Sequence, residues 1–125
     1  MKKITIRTTL AAEADRLVRI LSAAGYWVEI AESEDVLDLA AGDPSISLII
    51  LEGGDEDLHV PRLVKSLYEA HGDAMPPVLL ICCRDPAGPI WLEQLSDRPV
   101  YWFRYGYAEK ELLIIVEKLI EAYGR

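Results

Sequence analysis

The sequence lacks the features of a membrane-spanning, secreted or nucleic-acid-binding chain. Its apolar runs are all shorter than the roughly 18 residues that a bilayer span needs. Thr5 and Arg7 interrupt the N-terminal segment where a signal peptide would have a continuous apolar region. Positive charge is scarce, with 13 Lys and Arg against 21 Asp and Glu and a net charge of −8. Nucleic acids and anionic membranes bind clustered positive charge, so we expect a cytoplasmic protein that binds neither.

Several kinds of catalytic or metal site are also missing from the sequence. The only two cysteines, Cys82 and Cys83, are adjacent in an apolar run, which excludes a disulfide framework and makes a poor zinc site. Thr8 and Thr9 precede a helix but lack the glycines of a phosphate-binding loop. We expect their hydroxyls to cap that helix. No Ser-His-Asp or Cys-His arrangement is indicated, and we expect no enzyme activity, no cofactor and no metal.

What the sequence does contain is a regular alternation of strand and helix patterns. The 125 residues, 51% of them hydrophobic, suit one domain over residues 1–125 with a substantial core. Strands joined by single helices predict a parallel sheet with helices on both faces, an α/β doubly wound (βα)5 fold in three layers. The predicted strands are 3–8, 26–30, 46–51, 78–83 and 100–103, and the predicted helices are 10–24, 33–42, one beginning near Pro61, 90–95 and 108–122.

The second helix is short and has a clear start. Ser33 is a suitable N-cap, and Gly42 ends the segment. We expect its apolar residues to face inward, namely Val36, Leu37, Leu39 and Ala40.

The ends of four predicted strands carry the residues of interest. Sites in open parallel sheets lie at the carboxyl ends of the strands, and those ends are occupied by Thr8 and Thr9, Glu52, Cys82, and Arg104. From Lys3 to about Tyr123 the chain resembles a response-regulator receiver domain. The separations of 30 residues from Glu52 to Cys82 and 22 from Cys82 to Arg104 match that family without gaps. The resemblance implies a flavodoxin-like sheet with strand order 2-1-3-4-5.

The resemblance also implies a phosphorylation pocket, which this sequence has in degenerate form. Members of the family carry an acidic pair after the first strand, a phospho-accepting Asp after the third, Thr or Ser after the fourth, and Lys, usually followed by Pro, after the fifth. The corresponding residues here are Thr8 and Thr9, Glu52, Cys82, and Arg104 followed by Tyr105. Mg²⁺ requires hard oxygen ligands, and aspartyl phosphorylation depends on charge neutralisation by that cation. We therefore expect a pseudo-receiver that acts without phosphorylation.

Glu52 admits four interpretations. The favoured one is an ion pair with Arg104 or Arg7, because a carboxylate at a packed strand end needs a cationic or hydrogen-bonding partner. The others are a solvated carboxylate without a role, a constitutive mimic of the phosphorylated state, and a live phosphate acceptor or metal ligand.

Aromatic residues are concentrated near the C-terminus. In the receiver family the face formed by the fourth helix, fifth strand and fifth helix binds partners, and Tyr101 matches the family's aromatic switch residue. Alternation along the strand places Tyr101 and Phe103 on one face and Trp102 on the other. Exposed aromatic residues are favoured interface anchors, although packing in the core is the alternative. We expect a protein partner or a homodimer on a surface comprising Trp91, Tyr101, Trp102, Tyr105 and Tyr107.

Two other functions stay open at this point. The first is a small-molecule binding or enzymatic domain that uses the cleft at the carboxyl ends of the strands. The second is an atypical receiver that still accepts a phosphoryl group. The absence of glycine-rich phosphate loops weighs against the first, and the absence of an acidic pair weighs against the second.

Overall fold

Strands and helices alternate along the chain in the computed structural model, which describes residues 1–53, 59–82, 98–104 and 106–123. The predicted helix 90–95 lies outside the described residues. The strands are β1 (Lys3–Thr8), β2 (Trp27–Ile30), β3 (Ile46–Glu52), β4 (Val78–Ile81) and β5 (Val100–Phe103). The helices are α1 (Ala11–Ala23), α2 (Glu34–Ala41), α3 (His59–His71), a 3₁₀ turn (Gly72–Ala74) and α4 (Glu109–Tyr123).

The five strands form one parallel sheet. Their order is β2-β1-β3-β4-β5, as the sequence predicts. β1 and β3 lie in the middle, and the register pairs Thr8 with Glu52 where these two strands end. Glu52 is paired in turn with Ile81 of β4. The carboxyl ends of three neighbouring strands therefore meet at one edge, which is where the candidate site lies.

Alternation along the strands produces two hydrophobic layers. One face of the sheet packs Ile4, Ile6, Leu48 and Ile50 against residues of α1 and α4. The other face packs Ile49 and the residues in line with it against α2 and α3. Because both faces of this parallel sheet are apolar, helices have to cover each of them. All seven residues of β3 are buried, which fits its uninterrupted apolar sequence.

Of the two N-caps predicted from the sequence, that of α2 is confirmed and that of α1 is wrong. Ser33 caps α2 as predicted, with its hydroxyl accepting a hydrogen bond from the Val36 amide at 3.2 Å. The N-cap of α1 is Leu10, whose side chain makes no capping bond. Thr8 and Thr9 therefore do not cap this helix in the predicted manner, because they precede the cap position and their polar groups are used at the strand end.

The orientation of α2 also departs from the sequence prediction. Leu37 and Ala41 are fully buried, whereas Val36 is 45% exposed and Leu39 is 75% exposed. An α-helix turns through about 100° per residue, so Leu39 lies roughly 200° around the helix from Leu37. A helix of only two turns buries one narrow stripe, and the prediction that Val36 and Leu39 face inward is wrong.

Among the described residues, no helix is both long enough and apolar enough to pass through a lipid bilayer.

Candidate functional site

Glu52 is a buried carboxylate at the end of the central strand β3. Its side chain is on the same face of the sheet as Thr8, because residues in register on neighbouring parallel strands point the same way. Only 2% of Glu52 is exposed. The Thr8 hydroxyl donates a hydrogen bond to Glu52 Oε2 at 2.5 Å, and the Thr9 amide donates to the same oxygen at 3.3 Å. Two neutral donors from the end of β1 thus hold the Glu52 carboxylate.

The Thr8 hydroxyl connects this carboxylate to the start of α1. It accepts a hydrogen bond from the Leu10 amide at 3.0 Å and lies 3.2 Å from the Leu10 carbonyl oxygen. A hydroxyl has one proton to donate, and the shorter distance to an ionised oxygen favours Glu52 as its acceptor. Thr8 therefore fixes both the β1–α1 turn and the orientation of Glu52.

The ion pair favoured by the sequence is not the arrangement found. Arg7 is adjacent to Thr8 in β1 and so projects to the opposite face of the sheet, where its guanidinium donates to the Ala31 carbonyl at 3.1 Å. Arg104 is exposed. Among the described residues neither arginine forms an ion pair with Glu52. The second interpretation, a solvated carboxylate, is also wrong because Glu52 is buried.

The remaining predicted pocket residues lie elsewhere. Cys82 is buried in the hydrophobic layer of α2 and α3, on the other face from Glu52, and its amide bonds the Phe103 carbonyl at 3.1 Å. Arg104 lines a separate cleft of about 280 Å³ with Trp102 and Glu111. Of the five residues predicted for a degenerate phosphorylation pocket, the structure brings together Thr8, Thr9 and Glu52.

A small cleft opens beside these residues. It has a volume of about 130 Å³, and its lining comprises the polar residues Arg7, Thr9, Glu34 and Glu52 and the apolar residues Leu51, Val60 and Leu63. Ligand pockets commonly enclose roughly 300–1,000 Å³, so the part of this cleft formed by described residues is small for a metabolite. Within the described ranges, no group of three or more His, Cys, Asp or Glu side chains is placed to hold a metal ion.

A second polar cluster, near the first but not predicted from the sequence, surrounds Tyr107. The Tyr107 hydroxyl donates to Glu13 Oε1 at 2.7 Å, and the Arg16 guanidinium lies 4.6 Å from the centre of its ring. Arg16 also bonds the Tyr107 carbonyl at 3.4 Å and pairs with Glu13 at 3.5 Å. The ring of Phe103 is 5.3 Å away. The i, i+3 spacing of Glu13 and Arg16 was the available signal in the sequence.

The environment of Tyr107 favours its neutral form. Burial raises the pKa of Tyr107 well above its ordinary value, and the hydrogen bond to Glu13 and the charges of Glu13 and Glu52 raise it further, while Arg16 opposes them. This link joins α1 to the turn that precedes α4 and places a phenol within electrostatic reach of Glu52.

The aromatic surface is only partly as expected. Tyr101 and Phe103 pack with the α1 and α4 layer and Trp102 with the other layer, which confirms the predicted alternation. Tyr101 and Trp102 are half-buried, but Tyr107 is 7% exposed and so is not the exposed anchor that was predicted. Its hydroxyl is used internally by Glu13. Trp91 and Tyr105, also assigned to this surface, lie outside the described residues.

Tyr101 is held in place by the C-terminal helix. Its hydroxyl donates to the Tyr123 hydroxyl at 2.7 Å, and the two ring centres are 5.7 Å apart. The bond to Tyr123, with smaller effects from burial and the charge of Tyr123, raises the pKa of Tyr101 to about 12. The Tyr101–Tyr123 pair thus links β5 to the last residue of α4.

Comparison with known proteins identifies the fold. No protein-family model matches the chain, and no curated protein matches it. Among solved structures, a response regulator receiver domain protein of Clostridium thermocellum superimposes with a TM-score of 0.78 at 14% identity, over 98% of this chain and 96% of that one. The chemotaxis protein CheY4 of Vibrio cholerae gives 0.76 at 17% identity, over 95% and 98%.

A third structure shows the same fold within a longer protein. NtrX of Brucella abortus superimposes with a TM-score of 0.76 at 18% identity over 98% of this chain, which spans 27% of NtrX. At these identities the likeness shows the architecture. The predicted fold class, a flavodoxin-like (βα)5 sheet of the receiver type, is therefore confirmed.

Proposed function

We propose that this protein is a receiver-like signalling module that works through protein contacts and without phosphoryl transfer to Glu52. The observation that carries the proposal is the state of Glu52, which is 2% exposed and bonded to the Thr8 hydroxyl and the Thr9 amide. In the receivers that it resembles, this position belongs to an acidic pocket that binds Mg²⁺. Among the described residues, the Thr8 hydroxyl and the Thr9 amide bond the carboxylate, and both are neutral donors that stabilise its charge.

The chemistry of phosphoryl transfer supports the same conclusion. An acyl phosphate on Glu52 would bring additional negative charge into a buried position. Such a step requires a cation that bridges the acceptor and phosphoryl oxygens and neutralises the charge that develops. Thr8 and Thr9 supply no carboxylate ligand for one. The extra methylene of Glu relative to Asp also displaces the acceptor oxygen from the position used by the family.

The first test is exposure to a small phosphodonor. Incubation with acetyl phosphate and Mg²⁺, followed by intact-mass measurement, should give no adduct of one phosphoryl group on the wild-type chain. The matched control is the triple variant Thr8→Asp/Thr9→Asp/Glu52→Asp, which restores the acidic residues of the family and should gain such an adduct. A phosphoryl group localised to Glu52 in the wild-type chain would contradict the proposal.

We place the protein contacts on the surface formed by β5 and α4. Tyr101 and Trp102 are half-buried on opposite faces of the edge strand, and Tyr123 is 49% exposed beside Tyr101. Aromatic side chains of this kind provide large contact areas at a low cost in conformational entropy. An edge strand also leaves backbone groups available for a partner. A second copy of the chain or another protein would cover this surface.

Self-association tests this placement. Light scattering over a range of concentrations should detect a dimer that Trp102→Ala weakens by about tenfold or more, as expected for loss of a central aromatic anchor. The control is Trp27→Ala, which removes an aromatic side chain that is 52% exposed on β2, at the opposite edge of the sheet, and it should leave the dimer unchanged. A dimer insensitive to Trp102→Ala would contradict the assignment, as would a chain that is monomeric at all concentrations and binds no partner through this surface.

A further inference from the structure

The opposite edge of the sheet carries a groove that the proposed function does not use. This β2–α2 groove lies between the edge strand β2 and helix α2 and has a volume of about 180 Å³. Its apolar walls include Ile30, Val36 and Leu39. These side chains are 38%, 45% and 75% exposed, and they are three of the eight large apolar residues that the described chain exposes. Apolar residues that converge on one cleft mark interaction sites more often than scattered ones do.

Acidic side chains predominate around the groove, although the Arg7 guanidinium bonds the carbonyl of the lining residue Ala31. The sequence from residue 20 to residue 61 contains ten Asp and Glu and no Lys or Arg, so this segment accounts for more than the whole net charge of −8. Glu29 and Asp43 line the groove itself. Glu34 and Asp35 lie in the first turn of α2, beside its exposed apolar residues. The groove is therefore apolar at its centre and acidic at its rim.

An unsatisfied polar group lies at the base of the groove. Thr5, in the central strand β1, lines the groove and is 2% exposed. Its hydroxyl is buried and has no hydrogen-bond partner in the described chain. A buried hydroxyl without a partner is costly, and a group entering the groove could relieve that cost. This feature of the groove is independent of the acidic rim.

From these observations we propose that the β2–α2 groove docks a basic amphipathic segment of a partner protein. One apolar side chain would enter the cleft between Val36 and Leu39, and flanking Lys or Arg side chains would pair with the acidic rim. A cavity of about 150 Å³ accommodates benzene, so this cleft can hold one leucine or phenylalanine side chain. The inference concerns the β2 edge of the sheet, so it stands apart from the proposed contacts at β5 and from the state of Glu52.

The charge pattern decides between the possible occupants. A second copy of this chain would bring the same acidic rim against itself, and like charges across an interface oppose binding. Nucleic acid is excluded for the same reason, since its phosphates require positive charge. A partner rich in Lys and Arg gains both attraction at the rim and faster association at low salt.

The experiment uses three synthetic helical peptides with the full chain. The first repeats Leu with a helical period of 3.6 residues and has Lys at the other positions, the second replaces every Lys with Glu, and the third replaces every Leu with Ser. Fluorescence anisotropy of labelled peptides should show binding of the Leu–Lys peptide alone. Amide shifts in ¹⁵N spectra should then change around Thr5, Ile30 and Leu39.

Two variants connect the binding to the groove. Leu39→Ser should lower the affinity for the Leu–Lys peptide by about tenfold. The variant should still fold, because the Leu39 side chain is 75% exposed. Leu10→Ser, at a leucine that is 56% exposed outside the groove, is the matched control and should have no effect. Glu29→Lys should lower the affinity for the same peptide by about fivefold or more at low salt. The loss should be smaller at high salt, because salt screens the interaction between charges.

Several results would overturn the proposal. One is that the Leu–Glu peptide or the Ser–Lys peptide binds as tightly as the Leu–Lys peptide. Another is that the Leu39→Ser variant and the wild type bind the Leu–Lys peptide with equal affinity. The last is that no peptide binds. Self-association of the chain that Leu39→Ser abolishes would assign the groove to a second copy instead.

Discussion

Replacing Tyr107 with alanine should lower the free energy of unfolding by about 3–5 kcal/mol, the range for removal of a buried aromatic side chain. Tyr107 is 7% exposed and contacts residues from two separate parts of the chain. Its ring packs on Phe103 and under the Arg16 guanidinium, and its hydroxyl is bonded to Glu13. Urea unfolding followed by circular dichroism at neutral pH measures the loss. A change below about 1 kcal/mol would show that this cluster does not hold α1 to the β5–α4 turn.

The Tyr107→Phe variant separates the hydroxyl from the ring and gives a pH test. It should lower the free energy of unfolding by about 1–2 kcal/mol at neutral pH, because the hydrogen bond to Glu13 is lost. Folding raises the pKa of Tyr107 above the ordinary value of 10.0. The stability from this hydroxyl is therefore fully present below pH 10 and is lost as the pH rises toward the folded-state pKa.

The advantage of the wild type over Tyr107→Phe should consequently shrink above pH 10, by up to about 1.4 kcal/mol for each pH unit. Urea unfolding of both proteins at about pH 8 and about pH 11 checks the sign. The other tyrosines titrate in both proteins and cancel in the comparison. A difference that stays constant or grows with pH would contradict the described role of the hydroxyl.

Thr8→Val should be the most damaging nearly isosteric change at the candidate site. It removes the hydroxyl that donates to the buried Glu52 carboxylate at 2.5 Å. A hydrogen bond to a charged group contributes about 1.5–3 kcal/mol, and loss of the donor leaves the carboxylate less well satisfied. We expect a loss of about 2–3 kcal/mol in urea unfolding. The matched control is Thr9→Val, which keeps the backbone amide that bonds Glu52 and should cost less than about 0.5 kcal/mol.

A double-mutant cycle assigns the effect to the pair. Glu52→Leu removes the charge, and Thr8→Val/Glu52→Leu replaces both partners by apolar groups, which is often much less costly than breaking the pair from one side. The double variant should be more stable than the sum of the single losses predicts, by about 1.5 kcal/mol or more. Additive losses would indicate that Thr8 acts only through its bonds to Leu10.

The overall architecture could be predicted because its signals are local and repeated. Five apolar strand segments alternate with amphipathic helices, and parallel pairing follows from their single-helix connections. The apolar sequence of β3 correctly indicated a strand buried on both faces. The prediction of the orientation of α2 was wrong for a physical reason. Over eight residues, several apolar positions compete for one narrow buried stripe, and packing against the sheet selected Leu37 and Ala41 over Val36 and Leu39.

The candidate site was harder to predict because it depends on side-chain direction at strand ends. The sequence placed Thr8, Thr9 and Glu52 at neighbouring strand ends, and the structure brings them together. The sequence also offered Arg7 as a partner for Glu52. Arg7 is one residue before Thr8, and the alternation of a strand sends it to the other face. The Tyr107 cluster joins residues more than ninety positions apart, which local patterns cannot reveal.

The central claim is that the Thr8 hydroxyl and the Thr9 amide, at the end of β1, stabilise the Glu52 carboxylate in a site that needs no divalent cation. The most direct measurement is a Mg²⁺ titration of the ¹⁵N-labelled protein into the millimolar range, with amide shifts followed at Thr8, Thr9 and Gly53. The Thr8→Asp/Thr9→Asp/Glu52→Asp variant serves as the comparison. We predict no saturable change in the wild-type spectrum and a saturable change in the variant. Saturable shifts of these amides in the wild type would show that the site binds the cation and would contradict the account.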